Sequence, residues 1–89
     1  MGNIEAMVNV NGVVSALARA TIPVTDRGFL YGDSVYEVFR VQEGVPLFLS
    51  DHFDRLENSA QLIHMRISQS RVELIEEIRL TIAATSATR

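Results

Sequence analysis

The chain has 89 residues, enough for one domain, with 47% hydrophobic residues and a formal net charge of −3. That hydrophobic fraction is the composition of a globular domain, and the acidic balance argues against a nucleic-acid partner. There is no cysteine, which excludes a disulfide framework and thiolate metal sites, and all eight basic residues are arginine. No apolar run reaches the length of a membrane span and the N-terminus lacks the build of a signal peptide, so the expected setting is soluble and cytoplasmic.

Met7-Val8-Asn9-Val10 reads as a short strand, and Asn11-Gly12 is a strong two-residue hairpin signal, with Val13-Val14 opening the return strand. Thr21-Ile22-Pro23-Val24 is expected to be extended, because proline disfavours the helical region for the residue before it. Gly28 and Gly32 bracket a stretch expected to be an irregular turn. From Ser34 to Val41 the pattern predicts a strand, with Val35, Glu37, Phe39 and Val41 on one face and Ser34, Tyr36, Val38 and Arg40 on the other. Glu43-Gly44 supplies a second turn, and Val45 to Leu49 a second strand.

The period then changes. Phe53, Leu56, Ala60 and Ile63 recur at helical spacing, with Ser50 placed as N-cap and Asp51 in the first turn. A second helix is expected from about Arg71, opened by a Ser70/Glu73 capping box, with Ile75, Ile78 and Ile82 as its apolar stripe. Strands followed by two helices give an α+β fold, a small antiparallel sheet flanked by two helices. The stretch from Thr81 to Arg89 has no glycine or proline stop, and the chain looks cut there rather than finished.

Tyr36 and Arg40 project on one face with Val38 between them. They read either as the solvent side of a half-buried sheet or as a pocket floor, with an aromatic wall, a guanidinium for anions and a β-branched residue limiting volume. Glu37 points the other way, where a buried carboxylate must be paired; Arg27, His52 and Arg55 are the candidate partners. His52 and Arg55 lie one helical turn apart. An arginine near a helix N-terminus is disfavoured by the macrodipole unless an anion such as a phosphate is bound there, the alternative being a solvated pair with Asp51 or Asp54. His64 has no partner at a recognisable spacing and reads as structural or exposed. Two histidines with no carboxylate or cysteine ligands arranged around them argue against a metal site.

Taken together, Asn11-Gly12, Asp26-Arg27-Gly28-Phe29, Tyr31-Gly32-Asp33, Val35-Tyr36-Glu37, His52-Phe53-Asp54-Arg55-Leu56 and Ser59-Ala60 closely resemble the class IV aminotransferases. These are fold-type-IV pyridoxal-phosphate enzymes, among them branched-chain and D-amino-acid aminotransferases, (R)-amine transaminases and aminodeoxychorismate lyase. The resemblance covers essentially the whole chain and implies the small N-terminal domain of such an enzyme, 1–89, with the active site between it and a larger domain near a homodimer interface. It implies that Arg55, in His-x-x-Arg-Leu, binds the phosphate of pyridoxal 5'-phosphate, and that Tyr31, Tyr36, Val38 and Arg40 shape the substrate pocket, with Glu37 and His52 in support. The implied substrates are an amino acid or amine and a 2-oxo acid.

The departure is the lysine. The family's chemistry needs one to form a Schiff base with the cofactor, and this chain contains none. Arginine cannot replace it, being protonated at any usable pH. In the family that lysine lies in the second domain, as do the carboxylate facing the pyridine nitrogen and most substrate-carboxylate contacts. The expected function is therefore the N-terminal part of a transaminase, inactive alone. The alternatives are a stand-alone module binding a small anion or a partner, or part of a lyase of the same fold.

Overall fold

A computed structural model describes residues 6–86, which fall into two compact units, 6–22 with 71–86 and 23–70. The last three residues of the tail discussed above, 87–89, lie outside the described residues.

In the first unit, β1 (Met7–Val10) and β2 (Val13–Ala16) form an antiparallel hairpin with Val10 opposite Val13. Asn11 (φ 52) and Gly12 (φ 88) both adopt left-handed backbone, the requirement of a type I′ turn, whose twist matches that of the flanking strands. The Gly12 amide donates to Asn9 Oδ1 at 2.8 Å and braces the turn. A single 3₁₀ turn, Leu17–Arg19, follows β2. The hairpin packs on α1 (Arg71–Ser86), the long C-terminal helix that the apolar spacing predicts. Asn9 ties the two together: its Nδ2 donates to Glu77 Oε1 at 2.9 Å and to Thr81 Oγ1 at 3.1 Å. Ala16 at the end of β2 is buried, and Ile78 and Ile82 are half-buried, whereas Ile75 is exposed.

In the second unit, the Gly28–Gly32 stretch is not irregular. It is a short helix, α2 (Arg27–Tyr31), in which Asp26 Oδ2 accepts from the amides of Gly28 (2.9 Å) and Phe29 (3.3 Å). Gly32, at φ 72, ends it in left-handed backbone. A Cβ at Gly28 would stand 3.0 Å from Asp26 Oδ2, close enough that the capping carboxylate would have to give way by a few tenths of an ångström. The cap and the two glycines together fix the turn.

The expected strand Ser34–Val41 is corrected in extent. β3 covers only Val41–Gln42, paired antiparallel with β4 (Val45–Pro46) across the left-handed Glu43 and Gly44. Residues 34–40 still alternate between exposed and half-buried, as an extended segment does, but residues 34–39 have no ladder partner among the described residues. The second strand also stops short of Leu49. Leu47 donates to the Arg40 carbonyl at 2.9 Å, and then Phe48 takes left-handed backbone (φ 55) and turns the chain out of the hairpin.

The following helix, α3 (Leu49–Leu62), therefore begins before Ser50. Phe48 occupies the N-cap without a side-chain hydrogen bond, and Ser50 lies inside the first turn. Phe53 and Ala60 on its apolar stripe are buried and Leu56 is half-buried. Ile63, the last residue of the expected stripe, is the C-cap and is exposed. The helix closes with His64 in left-handed backbone (φ 58). His64 N donates to Gln61 O (3.1 Å) and Met65 N to Ala60 O (2.8 Å), the paired bonds of a Schellman motif. His64 is exposed and serves as the turn residue.

Candidate functional site

All the side chains that the sequence singles out for chemistry lie in the second unit, on α2, on the extended segment and on α3. The extended segment sorts them by parity. Tyr36 (80% exposed) and Val38 (75%) are open to solvent, as is Arg40, whereas Val35, Glu37 and Phe39 are half-buried. Tyr31, the last residue of α2, is exposed too. The structure thus places Tyr36, Val38 and Arg40 on one side of a single stretch of backbone.

On the other side Glu37 meets α3. Its Oε1 lies 2.6 Å from His52 Nδ1 and accepts from Arg55 Nη2 at 2.8 Å and Arg55 Nε at 3.3 Å. Three donors converge on one carboxylate oxygen, at a side chain only 17% exposed. The hydrogen bond with His52, then that with Arg55, holds the Glu37 carboxyl below the usual glutamate range. His52 Nδ1 also stands 3.2 Å from Arg55 Nη2. One ring nitrogen cannot both donate to the carboxylate and accept from the guanidinium. The shorter contact to an ionised acceptor decides, so Nδ1 carries the proton and donates to Glu37. The imidazole packs against Phe39, with ring centroids 5.6 Å apart and planes tilted by 49°. Backbone parity puts Phe39 beside Glu37, and the i, i+3 spacing puts His52 beside Arg55.

Of the three candidate partners for Glu37, Arg27 is otherwise engaged. It forms an exposed ion pair with Asp33, Nη2 to Oδ2 at 2.7 Å. Six residues separate that pair, and the intervening helix α2 brings its ends together. The early start of α3 also changes the electrostatic argument for Arg55. It is the seventh residue of the helix, in the second turn, where the macrodipole penalty has largely faded. Its fitness for an anion rests instead on its own donors. A guanidinium has five N–H groups; the bonds to Glu37 use Nε–H and one Nη2–H, leaving three on a side chain 67% exposed. This donor set suits a phosphate group. Among the described residues no cluster of histidine and carboxylate side chains could hold a metal ion.

The features that sequence reasoning missed here are the Phe39–His52 ring contact and the Arg27–Asp33 pair. The Asp26 cap was legible in principle, because an aspartate two residues before a glycine is a common way to start a helical turn.

The family described as amino-transferase class IV matches residues 34–88, the stretch that carries Tyr36, Glu37, Val38, Arg40, His52 and Arg55. The chain belongs to that family. Aminodeoxychorismate lyase of Bacillus subtilis (strain 168) is 37% identical over 70 residues, 79% of this chain and 24% of the lyase. A D-alanine aminotransferase of Listeria monocytogenes serotype 1/2a (strain 10403S) is 38% identical over 76 residues, 85% of this chain and 26% of the enzyme. A putative branched-chain-amino-acid aminotransferase of Methanocaldococcus jannaschii is 35% identical over 75 residues, 84% of this chain and 26% of the enzyme. The chain spans about a quarter of the length of these relatives.

Proposed function

We propose that the chain is the N-terminal domain of a pyridoxal-phosphate-dependent transaminase that moves an amino group between an amino acid or amine and a 2-oxo acid, working as a homodimer. Arg55 binds the cofactor phosphate, and Tyr31, Tyr36, Val38 and Arg40 line the substrate side. The observation that carries this reading is the state of Arg55: tethered at one edge by Glu37, open at the other, within the stretch that matches the family.

When bound, the cofactor supplies an electrophilic aldehyde and an electron sink. The residues of this chain supply binding and orientation. Arg55 holds the phosphate through charge-assisted bonds, Arg40 offers a guanidinium to a substrate carboxylate, and the exposed ring of Tyr36 with Val38 limits the room around it. The chain contains no lysine, so on this reading the lysine that engages the aldehyde is supplied from outside these 89 residues. A second reading has its own support in the Bacillus subtilis relative: the same site in the service of lyase chemistry on aminodeoxychorismate. The Tyr36-Glu37-Val38 sequence favours the D-amino-acid and amine-type members.

Titration of pyridoxal phosphate into the chain and its Arg55→Ala variant tests the assignment. Losing the charge-assisted contacts of an exposed arginine should cost about 2 kcal/mol, close to thirtyfold in Kd. Equal dissociation constants would remove Arg55 from the site. The chain alone should show no transaminase turnover.

A further inference from the structure

Arg55 is exposed, yet it is not free to swing. The edge of its guanidinium formed by Nε and Nη2 is turned to Glu37 Oε1, and the opposite edge, with both Nη1 hydrogens and the outer Nη2 hydrogen, is left for a ligand. Glu37 itself is held. It stands on the half-buried face of the extended segment and receives the Nδ1 proton of His52 at 2.6 Å, and that imidazole is packed on Phe39. A carboxylate beside a phosphate-binding arginine subtracts from the positive potential of the site. It therefore helps anion binding only if what it gives in orientation exceeds what it takes away in charge. An unrestrained arginine loses rotamer freedom when it grips an anion, whereas one already fixed at Nε loses less.

We infer that Glu37, backed by His52, is a positioning residue that aims the free edge of the Arg55 guanidinium at a phosphomonoester. The role rests on the reading that Arg55 takes a phosphate. It goes beyond that reading by predicting the sign of an effect that charge alone would reverse.

The test uses the full 89-residue chain, with inorganic phosphate and pyridoxal phosphate as probes, and the variants Glu37→Ala, Glu37→Gln and Arg55→Ala. Dissociation constants are measured by titration, and hydrogen exchange at Arg55 Nε–H by nitrogen-15 NMR. Glu37→Ala should weaken both probes about tenfold, the lower range for loss of a residue that orients a ligating group. It should also speed exchange at Nε–H. Glu37→Gln, whose amide oxygen still accepts from Arg55 and His52, should bind within about threefold of wild type. Tighter or unchanged binding in Glu37→Ala, while Arg55→Ala still loses affinity, would overturn the positioning role and leave the phosphate reading standing. Unchanged binding in Arg55→Ala would overturn both. Should Glu37→Ala not fold, Glu37→Gln decides: a slow Nε–H with near-wild-type affinity supports the role, and a change beyond about threefold in either direction overturns it.

Discussion

Replacing Asn9 with alanine probes the joint between the first hairpin and the C-terminal helix. The side chain works at both ends: Oδ1 accepts from the Gly12 amide at 2.8 Å, and Nδ2 donates to Glu77 Oε1 at 2.9 Å and Thr81 Oγ1 at 3.1 Å. The turn amide is exposed, so water replaces that bond at little cost. The two helix contacts are part-buried, and one of them goes to a carboxylate. Together they should be worth about 2 kcal/mol. For a chain of this size, with a urea m-value of about 1–1.5 kcal/mol/M, that shifts the unfolding midpoint by more than about 1 M with the slope unchanged. Asn9→Asp sharpens the case, because it keeps the acceptor for Gly12 but sets a second carboxylate against Glu77. It should be worse than alanine at pH 7, with the excess shrinking under acid. A midpoint shift below about 0.3 M for Asn9→Ala would refute the view that this asparagine joins hairpin to helix.

His64→Gly should stabilise the protein by about 0.5–1 kcal/mol, because a side chain at φ 58 pays the left-handed penalty that glycine avoids, offset in part by glycine's freedom in the unfolded chain. Thermal unfolding reads this directly, and a lowered midpoint would sink the Schellman assignment. The pairing of Glu37 should appear in acid. Its folded carboxyl lies below the ordinary glutamate value, so its contribution is fully present above about pH 4.3 and is lost as pH falls through the folded value. Wild type should therefore lose its advantage over Glu37→Gln only below that range. A stability difference between the two that stays constant from about pH 6 to pH 3 would mean that the bonds to His52 and Arg55 are not formed.

What could be read from sequence was what local chemistry fixes. Asn11-Gly12 defines a turn by its own backbone preferences, and β1 and the start of β2 follow from it. The helical spacing of Phe53, Leu56 and Ala60 marks α3, and that of Ile78 and Ile82 marks the C-terminal helix. The failures share a cause. Whether residues 34–40 join a ladder depends on a strand elsewhere, which no local pattern encodes. Ser50 is a good N-cap by type, but the left-handed turn at Phe48 starts the helix first, and nothing about phenylalanine announces a positive φ. The irregular turn became α2 because an Asp26 cap and a left-handed Gly32 suffice for a single helical turn.

The site was legible for a different reason. Parity along an extended segment is geometric and holds whether or not the segment pairs, so Glu37 had to face away from Tyr36, Val38 and Arg40. Parity could not choose among Arg27, His52 and Arg55. The choice was made by α2, which takes Arg27 to Asp33, and by the i, i+3 spacing on α3, which delivers His52 and Arg55 together. On the proposed reading this divides the labour of one stretch of backbone. The outward side chains meet the substrate, and the single inward carboxylate sets the arginine that holds the cofactor. A slip of one residue would exchange the two faces, putting Tyr36 and Arg40 against the helix and Glu37 in solvent, so on the proposed reading the substrate side and the contacts of Glu37 to α3 depend on the same parity.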